Sequence, residues 1–469
     1  MRALKNRRIR LAALGVVIAA AATAATVLPA QADTSRPAAT AGDSTPYLGW
    51  SSWSLQAMRD TTVNPNGSYS WLTEANVLAQ AHAMATKLKA AGYTYINLDA
   101  GWWRQWDWTP EYDANGRYAV DAARFPDGLQ YVIDQIHALG LKVGIYVPVG
   151  LEKGAYDNGD FPIAGSKSCS THDTVYNDLR TTNGWDSSYK LDFSKPCAQA
   201  WVDSETAQFA KWGIDFLKID GVGPGSNRNG TNYDNRDEIA AWDAGFRKAH
   251  RTVEIQLSWA LSLGYAADWQ NLSNSWRIEN DVECYCSTVT SWSGISRRFN
   301  DVVNWIPFAG KGKGWNNLDS LDVGVGSMDG LTDDERQTAA TLWTIEAAPL
   351  YSGDDLTKLD DLGVALLTNR AAIAIDQAGN PARPVTTSGQ QQVWWAKNSN
   401  GSYTVALFNL GSAAAPVTAQ WSSLDIDGTV SLHDVWKQSD LGTSTTSYTT
   451  TLPSHGSQLL TVWPAGSHH

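Results

Sequence analysis

The segment Phe216–Asp220 ends an apolar run with Lys218 and Asp220, two residues apart, just before Gly221. Side chains alternate along a strand, so Lys218 and Asp220 point to the same side at its C-terminal tip. Two buried charges are costly unless they pair or take part in chemistry. The spacing therefore leaves two interpretations open: a structural ion pair, or a reactive carboxylate beside a cation.

A second segment with a cation close to carboxylates runs from Trp276 to Asp281 and contains Arg277 and Glu279. Arg277 and Asp281 are four residues apart, a spacing that also suits a simple ion pair. Glycoside hydrolysis needs two positioned carboxyl groups, one as nucleophile or base and one as acid. We predict that Asp220 and Asp281 are this pair. Glu279 and Glu283 are competing acids near Asp281. Alternation places Glu279 on the same face as Asp281, so spacing alone does not choose between those two.

The elements that must position these residues alternate between short apolar runs and longer helical patterns. Predicted strands are Tyr47–Trp50, Tyr95–Leu98, Lys142–Val147, Asp215–Ile219, Glu254–Leu257, Ser275–Ile278, Val302–Pro307 and Pro349–Tyr351. Predicted helices are Trp71–Ala91, Leu129–Leu139, Pro196–Trp212, Arg236–His250 and Asp333–Glu346. The alternation predicts an α/β fold, a (β/α)8 TIM barrel over residues 46–376, with a doubly wound open sheet as the alternative. The barrel is favoured because the polar clusters follow strands, on the face where such barrels carry active sites.

Residues 377–469 change to short β-rich runs separated by glycine, serine and asparagine turns. The runs are Gln390–Ala396, Ser402–Phe408, Ala415–Gln420, Val430–Asp434 and Gln458–Val462. This texture predicts a C-terminal antiparallel β-sandwich. No aromatic platform stands out in it, so a stabilising appendage is favoured over a second carbohydrate-binding domain.

The N-terminal residues have the pattern of an export signal. Residues 1–32 combine a basic head, an apolar stretch and the small-x-small site Ala30-Gln31-Ala32, which predicts a signal peptide. A membrane anchor is the alternative, and the polar stretch after the site argues against it. Residues 33–45 are expected to be a flexible leader. We therefore expect a secreted, extracellular protein with no membrane partner after cleavage.

Composition narrows the classes of partner and cofactor. A net charge of −12, with no basic block after the signal, argues against a nucleic-acid partner. The eight histidines have no metal-ligand spacing, so neither a metal nor another cofactor is predicted. Cys169 and Cys197 can close a loop, whereas the state of Cys284 and Cys286, two residues apart, stays open. The sequence makes no prediction of an oligomeric state.

The 23 tryptophans favour a saccharide ligand, because flat indole faces match the apolar C–H faces of sugar rings. Many tryptophans are plain core residues in any fold. Six cluster near predicted strand ends: Trp50, Trp53, Trp102, Trp103, Trp106 and Trp108. We expect an oligo- or polysaccharide substrate in a cleft at those strand ends.

These motifs together resemble glycoside hydrolase family 27, the α-galactosidase-like retaining glycosidases. The matching segments are Gly49–Trp53, Leu98–Trp102, Gly116–Pro126, Gly140–Tyr146, Lys218–Asp220, Trp276–Asp281, Trp315–Asp319 and Leu331–Leu350. The resemblance covers the barrel and the following β-domain. It implies cleavage of terminal α-galactosides by double displacement, with Asp220 as nucleophile and Asp281 as acid/base.

The resemblance also implies a set of sugar-binding residues. Its members are Trp53, Asp99, Tyr146, Lys218, Ser258, Arg277 and Asp319. Trp53, Asp99 and Tyr146 would line the pocket for the terminal sugar. Lys218 would stabilise the negative charge of the nucleophile, and Arg277, a rigid fork of donors, would bind the 2-hydroxyl.

Four positions depart from the family pattern. Ala100 replaces the second of two aspartates that grip the 4- and 6-hydroxyls of galactose, Ser258 stands where a glutamate is common, and Gly101 and Val222 stand where cysteines are common. A site that discriminates through hydrogen bonds changes its preference when a buried partner is replaced. An isomaltose-releasing dextranase and a β-L-arabinopyranosidase, both found in the family, are therefore alternatives. A non-catalytic carbohydrate-binding protein is the alternative outside it, disfavoured because both acids are present.

Overall fold

The computed structural model describes residues 45–465, so the predicted signal peptide and all but the last residue of the predicted leader lie outside it. Within the described chain, eight parallel strands form one curled sheet. They are β1 (Leu48–Ser51), β2 (Tyr95–Leu98), β3 (Lys142–Pro148), β4 (Phe216–Asp220), β5 (Glu254–Leu257), β6 (Ser275–Arg277), β7 (Trp315–Asn317) and β8 (Leu350–Ser352). Most of their side chains are buried, which is why most of these strands are apolar runs in the sequence.

The order of strands in the sheet identifies the architecture. It runs β7-β6-β5-β4-β3-β2-β1-β8, and β1 pairs in parallel with both β2 and β8. Beyond the end of β7, the backbone N–H of Leu321 donates to the carbonyl oxygen of Tyr351 in β8 at 2.7 Å. The predicted (β/α)8 barrel is confirmed, because a doubly wound sheet does not bring its first and last strands together.

One predicted strand is wrong. Residues Val302–Pro307 are not extended: two 3-10 turns, Val302–Asn304 and Ile306–Phe308, continue the helix Trp292–Asp301. The seventh strand is instead Trp315–Asn317. It has three residues, two of them asparagines, so a search for apolar runs passes over it and selects the apolar end of the preceding helix.

The helices of the described chain are α1 (Trp53–Ala57), α2 (Glu74–Lys87), α3 (Leu129–Ala138), α4 (Lys153–Asp157), α5 (Pro196–Trp212), α6 (Arg236–Lys248), α7 (Ala266–Leu272), α8 (Trp292–Asp301), α9 (Gly326–Asp329), α10 (Asp333–Ile345), α11 (Asp361–Thr368) and α12 (Arg370–Gln377). Local capping explains several helix starts. Thr332 begins α10 with a capping box, in which its side chain accepts from Glu335 N and the Glu335 side chain accepts from Thr332 N. Across residues 45–465, no helix combines the length and the apolar character that crossing a membrane requires.

Between β3 and α5 the chain makes a long excursion. Its strands Leu151–Glu152, Thr181–Thr182 and Ser188–Tyr189 form a small antiparallel sheet. A disulfide between Cys169 and Cys197, with an S–S distance of 2.09 Å, ties the excursion to the first turn of α5. This is the bridge that the sequence allowed.

After α12 the chain forms eight further strands. They are β9 (Arg383–Pro384), β10 (Gln391–Lys397), β11 (Tyr403–Asn409), β12 (Ala415–Gln420), β13 (Val430–Asp434), β14 (Ser439–Ser444), β15 (Ser447–Leu452) and β16 (Ser457–Pro464). Six form one antiparallel sheet in the order β9-β10-β11-β16-β13-β14, and β12 pairs with β15 in a second. The predicted C-terminal antiparallel β-domain is confirmed. Strands β14 and β15 were not predicted, because they consist mainly of serine, threonine and glycine and show almost no alternation of apolar and polar residues.

The C-terminal domain is attached to the barrel through α10. His455 Nδ1 lies 2.6 Å from a carboxylate oxygen of Glu335, and Trp436 Nε1 donates to Thr341 Oγ1 at 2.9 Å. Trp394 of β10 joins the same buried apolar cluster as the barrel core. The domain therefore supports the outer layer of the barrel.

Candidate active site

A cavity of about 440 Å³ lies where the barrel strands end, and its volume is typical of small-molecule sites. Its lining residues are Trp53, Tyr69, Asp99, Ala100, Trp103, Arg104, Trp108, Tyr146, Pro148, Glu152, Trp185, Lys218, Asp220, Trp259, Asp281 and Tyr285. Half of them are aromatic and four are carboxylic acids. Such a mixture offers flat apolar faces to a sugar ring and hydrogen-bond partners to its hydroxyls.

Asp220 is the last residue of β4 and faces the cavity. Tyr146, on the neighbouring β3, donates its hydroxyl to Asp220 Oδ2 at 2.9 Å. The backbone N–H of Gly221 donates to Asp220 Oδ1 at 2.8 Å. In the register of β3 against β4, Tyr146 pairs with Lys218, and this pairing brings the tyrosine hydroxyl level with the carboxylate of Asp220. Each carboxylate oxygen of Asp220 thus has its own donor.

Burial raises the pKa of Asp220 above the ordinary value of an aspartate. The charge of Lys218 opposes this rise, the charges of Asp281 and Asp99 add to it, and the hydrogen bond from Tyr146 opposes it. Burial also raises the pKa of Tyr146 far above its ordinary value, so the phenol remains a proton donor. The ionised form of Asp220 therefore depends on Lys218 and Tyr146.

Lys218 forms an ion pair with Asp99, with 2.9 Å between Nζ and Oδ2. Burial alone would lower the pKa of Lys218, but the charges of Asp99 and Asp220 outweigh it and raise that pKa above the ordinary value. Asp99 Oδ2 also accepts from Ser51 Oγ at 3.1 Å and Asn97 Nδ2 at 3.3 Å. A charged ammonium is thus fixed at the floor of the cavity, where its charge favours ionised Asp220.

Asp281 lies on the loop that follows β6. Arg277 donates through Nη2 to Asp281 Oδ1 at 2.9 Å, and the hydroxyl of Tyr285 donates to Oδ2. Trp53 Nε1 in turn donates to the hydroxyl oxygen of Tyr285 at 3.2 Å. The ion pair that the four-residue spacing allowed is present, and Asp281 still faces the cavity.

Arg277 is 1% exposed and lies between two acids. Its Nη2 is 2.6 Å from Asp319 Oδ2, an oxygen that also accepts from Val282 N at 2.8 Å. Tyr351 donates its hydroxyl to Asp319 Oδ1 at 2.8 Å. Burial acts to raise the pKa of Asp319, but Arg277 and other nearby cations outweigh it and hold that pKa below the ordinary value. Ionised Asp319 therefore fixes the guanidinium that holds Asp281.

Asp281, Glu283 and Asp319 are the one set of three potential metal-binding side chains, within residues 45–465, whose ligand atoms lie within 4.8 Å of one another. Arg277 already contacts two of these carboxylates. Glu283 accepts from Ser54 Oγ at 2.7 Å, and burial with its acidic neighbours raises its pKa to about 8. The Arg277 guanidinium therefore already neutralises the cluster, which favours a role in positioning the Asp281 loop over binding a metal cation.

Six of the nine predicted site residues line the cavity: Trp53, Asp99, Tyr146, Lys218, Asp220 and Asp281. The other three, Ser258, Arg277 and Asp319, are buried outside its lining. Ser258 follows β5, where its N–H donates to Ile219 O at 2.8 Å and its carbonyl accepts from Val222 N at 3.2 Å. Ser258 thus joins the ends of β4 and β5.

Of the six tryptophans expected near strand ends, three line the cavity: Trp53, Trp103 and Trp108. Trp50 and Trp102 are buried in the barrel core, and Trp106 is partly exposed outside the cavity lining. A tryptophan close to a strand end is therefore as often outside the cavity lining as in it, and the sequence alone does not tell the two apart.

Several lining residues were not predicted from the sequence, among them Tyr69, Trp185, Trp259 and Tyr285. Trp259 follows the strand β5 by two residues, so an aromatic residue at a strand end was an available signal. Tyr69 lies in an irregular segment before α2, and Trp185 lies in the turn between the two-residue strands Thr181–Thr182 and Ser188–Tyr189. No pattern in the sequence marks them.

Tyr285 has an unusual covalent setting. The flanking Cys284 and Cys286, whose state the sequence left open, are joined by a disulfide with an S–S distance of 2.02 Å. Tyr285 has a positive φ of 50°. The bridge thus brackets the residue that donates a hydrogen bond to Asp281.

The departures at Ala100 and Gly101 make room for an aromatic wall. Gly101 has φ +97°, and a Cβ there would lie 2.7 Å from the ring of Trp108. The Trp108 and Tyr69 rings are 5.0 Å apart between centroids, and the Arg104 guanidinium lies 5.3 Å from the Trp108 centroid. The side of the cavity beside Ala100 is therefore built from rings where the family pattern has an acid.

Comparison with known proteins covers both parts of the chain. The family profile described as "Alpha galactosidase A" matches residues 45–185 and 174–378, and that described as "Alpha galactosidase C-terminal beta sandwich domain" matches residues 388–462. Alpha-galactosidase 2 of Arabidopsis thaliana is 27% identical, over 84% of this chain and 83% of its own. A GH27 β-L-arabinopyranosidase from Geobacillus stearothermophilus superposes with a TM-score of 0.79 at 26% identity, covering 91% of this chain and 98% of that one. Alpha-galactosidase I from Mortierella vinacea superposes with a TM-score of 0.67 at 26% identity and the same coverages.

Proposed function

The chain belongs to glycoside hydrolase family 27 and is a retaining glycosidase, and from this premise we propose that it cleaves terminal α-galactosides with Asp220 as nucleophile and Asp281 as acid/base. One observation supports these roles above the others. The two carboxyl groups face one cavity, and each is held by two donors from the protein. Retaining glycosidases work with such a pair of acids.

In the first step, a carboxylate oxygen of Asp220 attacks the anomeric carbon of the terminal sugar. The bond from that carbon to the glycosidic oxygen breaks, and Asp281 gives this oxygen a proton, so the leaving group departs as an alcohol. The product is a covalent glycosyl ester on Asp220. Tyr146 and the Gly221 N–H orient Asp220 for this attack.

In the second step, Asp281 accepts a proton from a water molecule whose oxygen attacks the same carbon. The ester bond breaks and Asp220 is released as a carboxylate. Two inversions give the sugar with its original anomeric configuration. The positive charge of Lys218 acts to lower the pKa of Asp220. It therefore stabilises the ionised carboxylate that attacks in the first step and is released in the second.

We place the terminal sugar at the closed, polar end of the cavity. Asp99 offers carboxylate oxygens there and Lys218 offers an ammonium group, and both are buried. Buried groups of this kind discriminate strongly between sugars, because a ligand without the matching hydroxyl leaves them unpaired. Arg277, which the family resemblance assigned to the 2-hydroxyl, holds Asp281 instead of lining the cavity.

A β-L-arabinopyranoside is the second candidate substrate. Ala100 lines the cavity where the family pattern has an acid for the hydroxyls of galactose, and L-arabinopyranose lacks the hydroxymethyl group. The Geobacillus stearothermophilus relative with the TM-score of 0.79 is named as such an enzyme. Isomaltose release from dextran is a third activity that the test includes, because Ala100 also clears space beside a 6-oxygen.

We further propose that the enzyme acts outside the cell. Support comes from the basic head, apolar stretch and small-x-small site in residues 1–32. Mass spectrometry of the protein recovered from culture medium would show a first residue close to Asp33. Full-length protein retained in the cell fraction would contradict export.

The test of the proposed substrate offers 4-nitrophenyl α-D-galactopyranoside, 4-nitrophenyl β-L-arabinopyranoside and dextran to the wild type and to Asp220→Asn. We expect the highest kcat/KM for the galactoside and the loss of that activity in the variant. NMR of the first-formed product should show the retained α-anomer.

Preference for the arabinopyranoside would replace the proposed glycone by the second candidate. Isomaltose from dextran without galactoside cleavage would replace it by the third. Galactoside cleavage that persists in Asp220→Asn would remove Asp220 from the mechanism.

A further inference from the structure

Trp185 is 43% exposed and is the only cavity-lining residue of the described chain with so large an exposed apolar side chain. Asp99, Tyr146 and Lys218, which line the same cavity, are exposed by 1%, 4% and 7%. The cavity therefore has a closed polar end and an open aromatic end. An aromatic ring that lines a cavity and is also open to solvent offers its apolar face to a ligand.

The ring of Trp185 lines the same cavity as Asp220 and lies beside the backbone of the next residue, Gly221. A Cβ on Gly221, the residue after Asp220, would lie 3.2 Å from Trp185 Cη2. Trp259 stands edge-on to Trp185, with 5.9 Å between ring centroids and 78° between the ring planes. A leaving group that extends from the closed end towards solvent passes this ring directly after the scissile bond.

The backbone around Trp185 is fixed without the ligand. Trp185 N donates to Asn183 Oδ1 at 3.2 Å, and Arg228 Nε donates to Gly184 O at 2.9 Å. Gly184 itself allows the close packing, because a Cβ there would lie 2.2 Å from the ring of Trp259. A platform that is ordered in advance loses little conformational entropy when it binds.

We propose that Trp185 is the binding platform for the leaving-group sugar, so the enzyme favours glycosides whose leaving group is itself a pyranose. This inference deepens the proposed function and rests on it. The ligand is a neutral pyranose ring whose apolar C–H face lies on the indole. Charge plays no part in this contact, which distinguishes it from the polar end of the cavity.

The same platform binds an acceptor sugar once the glycosyl ester on Asp220 has formed. A hydroxyl oxygen of the acceptor then attacks the anomeric carbon in place of water, and its proton passes to Asp281. The ester bond to Asp220 breaks, and a new glycosidic bond is formed. Trp185 therefore also controls how the intermediate divides between hydrolysis and sugar transfer.

The experiment compares α-galactosyl fluoride with α-galactosyl-(1→6)-glucose in the wild type and in Trp185→Ala. Fluoride leaves without reaching the platform, whereas glucose lies on it. We expect kcat/KM for the disaccharide to fall about tenfold and kcat/KM for the fluoride to stay within about twofold. Trp185→Phe keeps a ring and should lose less than Trp185→Ala. Tyr131→Ala, which truncates a 40% exposed aromatic residue on α3, is the matched control and should change neither value.

A second measurement uses the fluoride as donor and glucose as acceptor. The ratio of transfer product to free sugar should fall in Trp185→Ala by a factor similar to that for the disaccharide. No fall for the disaccharide, or an equal fall for both substrates, would overturn the platform. An equal fall would show instead that the ring supports Gly221 and Asp220.

Failure of the proposed glycone is distinguishable from failure of the platform. If the wild type accepts β-L-arabinopyranosyl or isomaltosyl fluoride but not α-galactosyl fluoride, the glycone is wrong, and the acceptor assay with the accepted donor still decides the role of Trp185. If the wild type turns over none of the three fluorides, both proposals are overturned.

Discussion

Asp220 and Asp281 face the same cavity but are held in different ways. Asp220 ends a strand whose neighbours in the sheet, β3 and β5, are fixed by backbone pairing, and one of its two donors is a backbone N–H. Asp281 lies on a loop, and both of the donors to its carboxylate, Arg277 and Tyr285, are side chains. The barrel therefore positions one acid, and a network of side chains positions the other.

This difference separates two kinds of sensitivity. A strand end moves only if the sheet moves, so most single substitutions around Asp220 should leave its position intact. The position of Asp281 depends on a chain of contacts through Arg277, Tyr285 and Trp53. Loss of one contact in that chain should misplace Asp281, the proposed acid/base, without unfolding the protein.

The largest loss is expected for Asp220→Gly, because no covalent intermediate can form. We expect kcat to fall by about 10⁴-fold or more. Azide should restore turnover of an activated α-galactoside by entering the space that the carboxylate leaves. NMR should identify the product as the inverted β-galactosyl azide. A retained α-azide would contradict the role of Asp220.

Asp281→Gly should lose less, and its loss should depend on the leaving group. For a sugar leaving group, we expect kcat/KM to fall by about 10²- to 10⁴-fold, because the departing oxygen lacks a proton donor. For 4-nitrophenolate, which leaves without protonation, the fall should be much smaller. Azide should here give the retained α-galactosyl azide. Equal losses for both leaving groups would exclude Asp281 as the acid.

Tyr285→Phe removes one donor from Asp281 and should lower kcat about tenfold, because a hydrogen bond to a charged group orients the acid/base. The midpoint of thermal unfolding should stay close to that of the wild type, since Tyr285 lies at the cavity surface. Tyr131→Phe is the control for loss of a tyrosine hydroxyl. An unchanged kcat would mean that Arg277 alone positions Asp281.

The two disulfides should separate activity from stability. The Cys284–Cys286 bridge joins residues only 2 positions apart, so it closes no long loop. The double variant Cys284→Ser/Cys286→Ser should lower kcat by less than Tyr285→Phe does. Cys169→Ser with Cys197→Ser opens a loop of separation 28 and should lower the free energy of unfolding by about 3–4 kcal/mol. Urea denaturation and steady-state kinetics on both double variants test this contrast. A larger loss of unfolding free energy in the Cys284/Cys286 variant than in the Cys169/Cys197 variant would contradict this prediction.

The smallest effect concerns pH. The pKa of Glu283 is about 8 in the folded protein, above the 4.5 of a free glutamate. Between these values the folded state holds a proton that the unfolded state has lost, so this group makes stability fall as pH rises from about 4.5 to 8. Glu283→Gln should flatten the unfolding free energy across that window. A profile that stays as steep as that of the wild type would assign the pH dependence to other groups.

The sequence predicted the barrel and the two acids for physical reasons that apply to single segments. Most barrel strands are buried apolar runs, and their ends are marked by residue types such as Lys218 and Asp220. The supports of Asp281 come from pairs that no local pattern connects: Trp53 and Tyr285 are separated by 232 positions. Strand β7 was missed for a related reason, since two of its three residues are polar and are specified by the sheet around them.

Gly101 and Trp108 constrain the order in which this cavity could change. A side chain at position 101 would meet the indole ring at 2.7 Å and would also have to adopt a left-handed backbone conformation. Cysteine at that position, as in the family pattern, therefore clashes with the Trp108 ring in its present position. Any mutational path that places a cysteine at position 101 must therefore also displace the Trp108 ring. Positions 101 and 108 form one epistatic unit, and their substitution effects will not add.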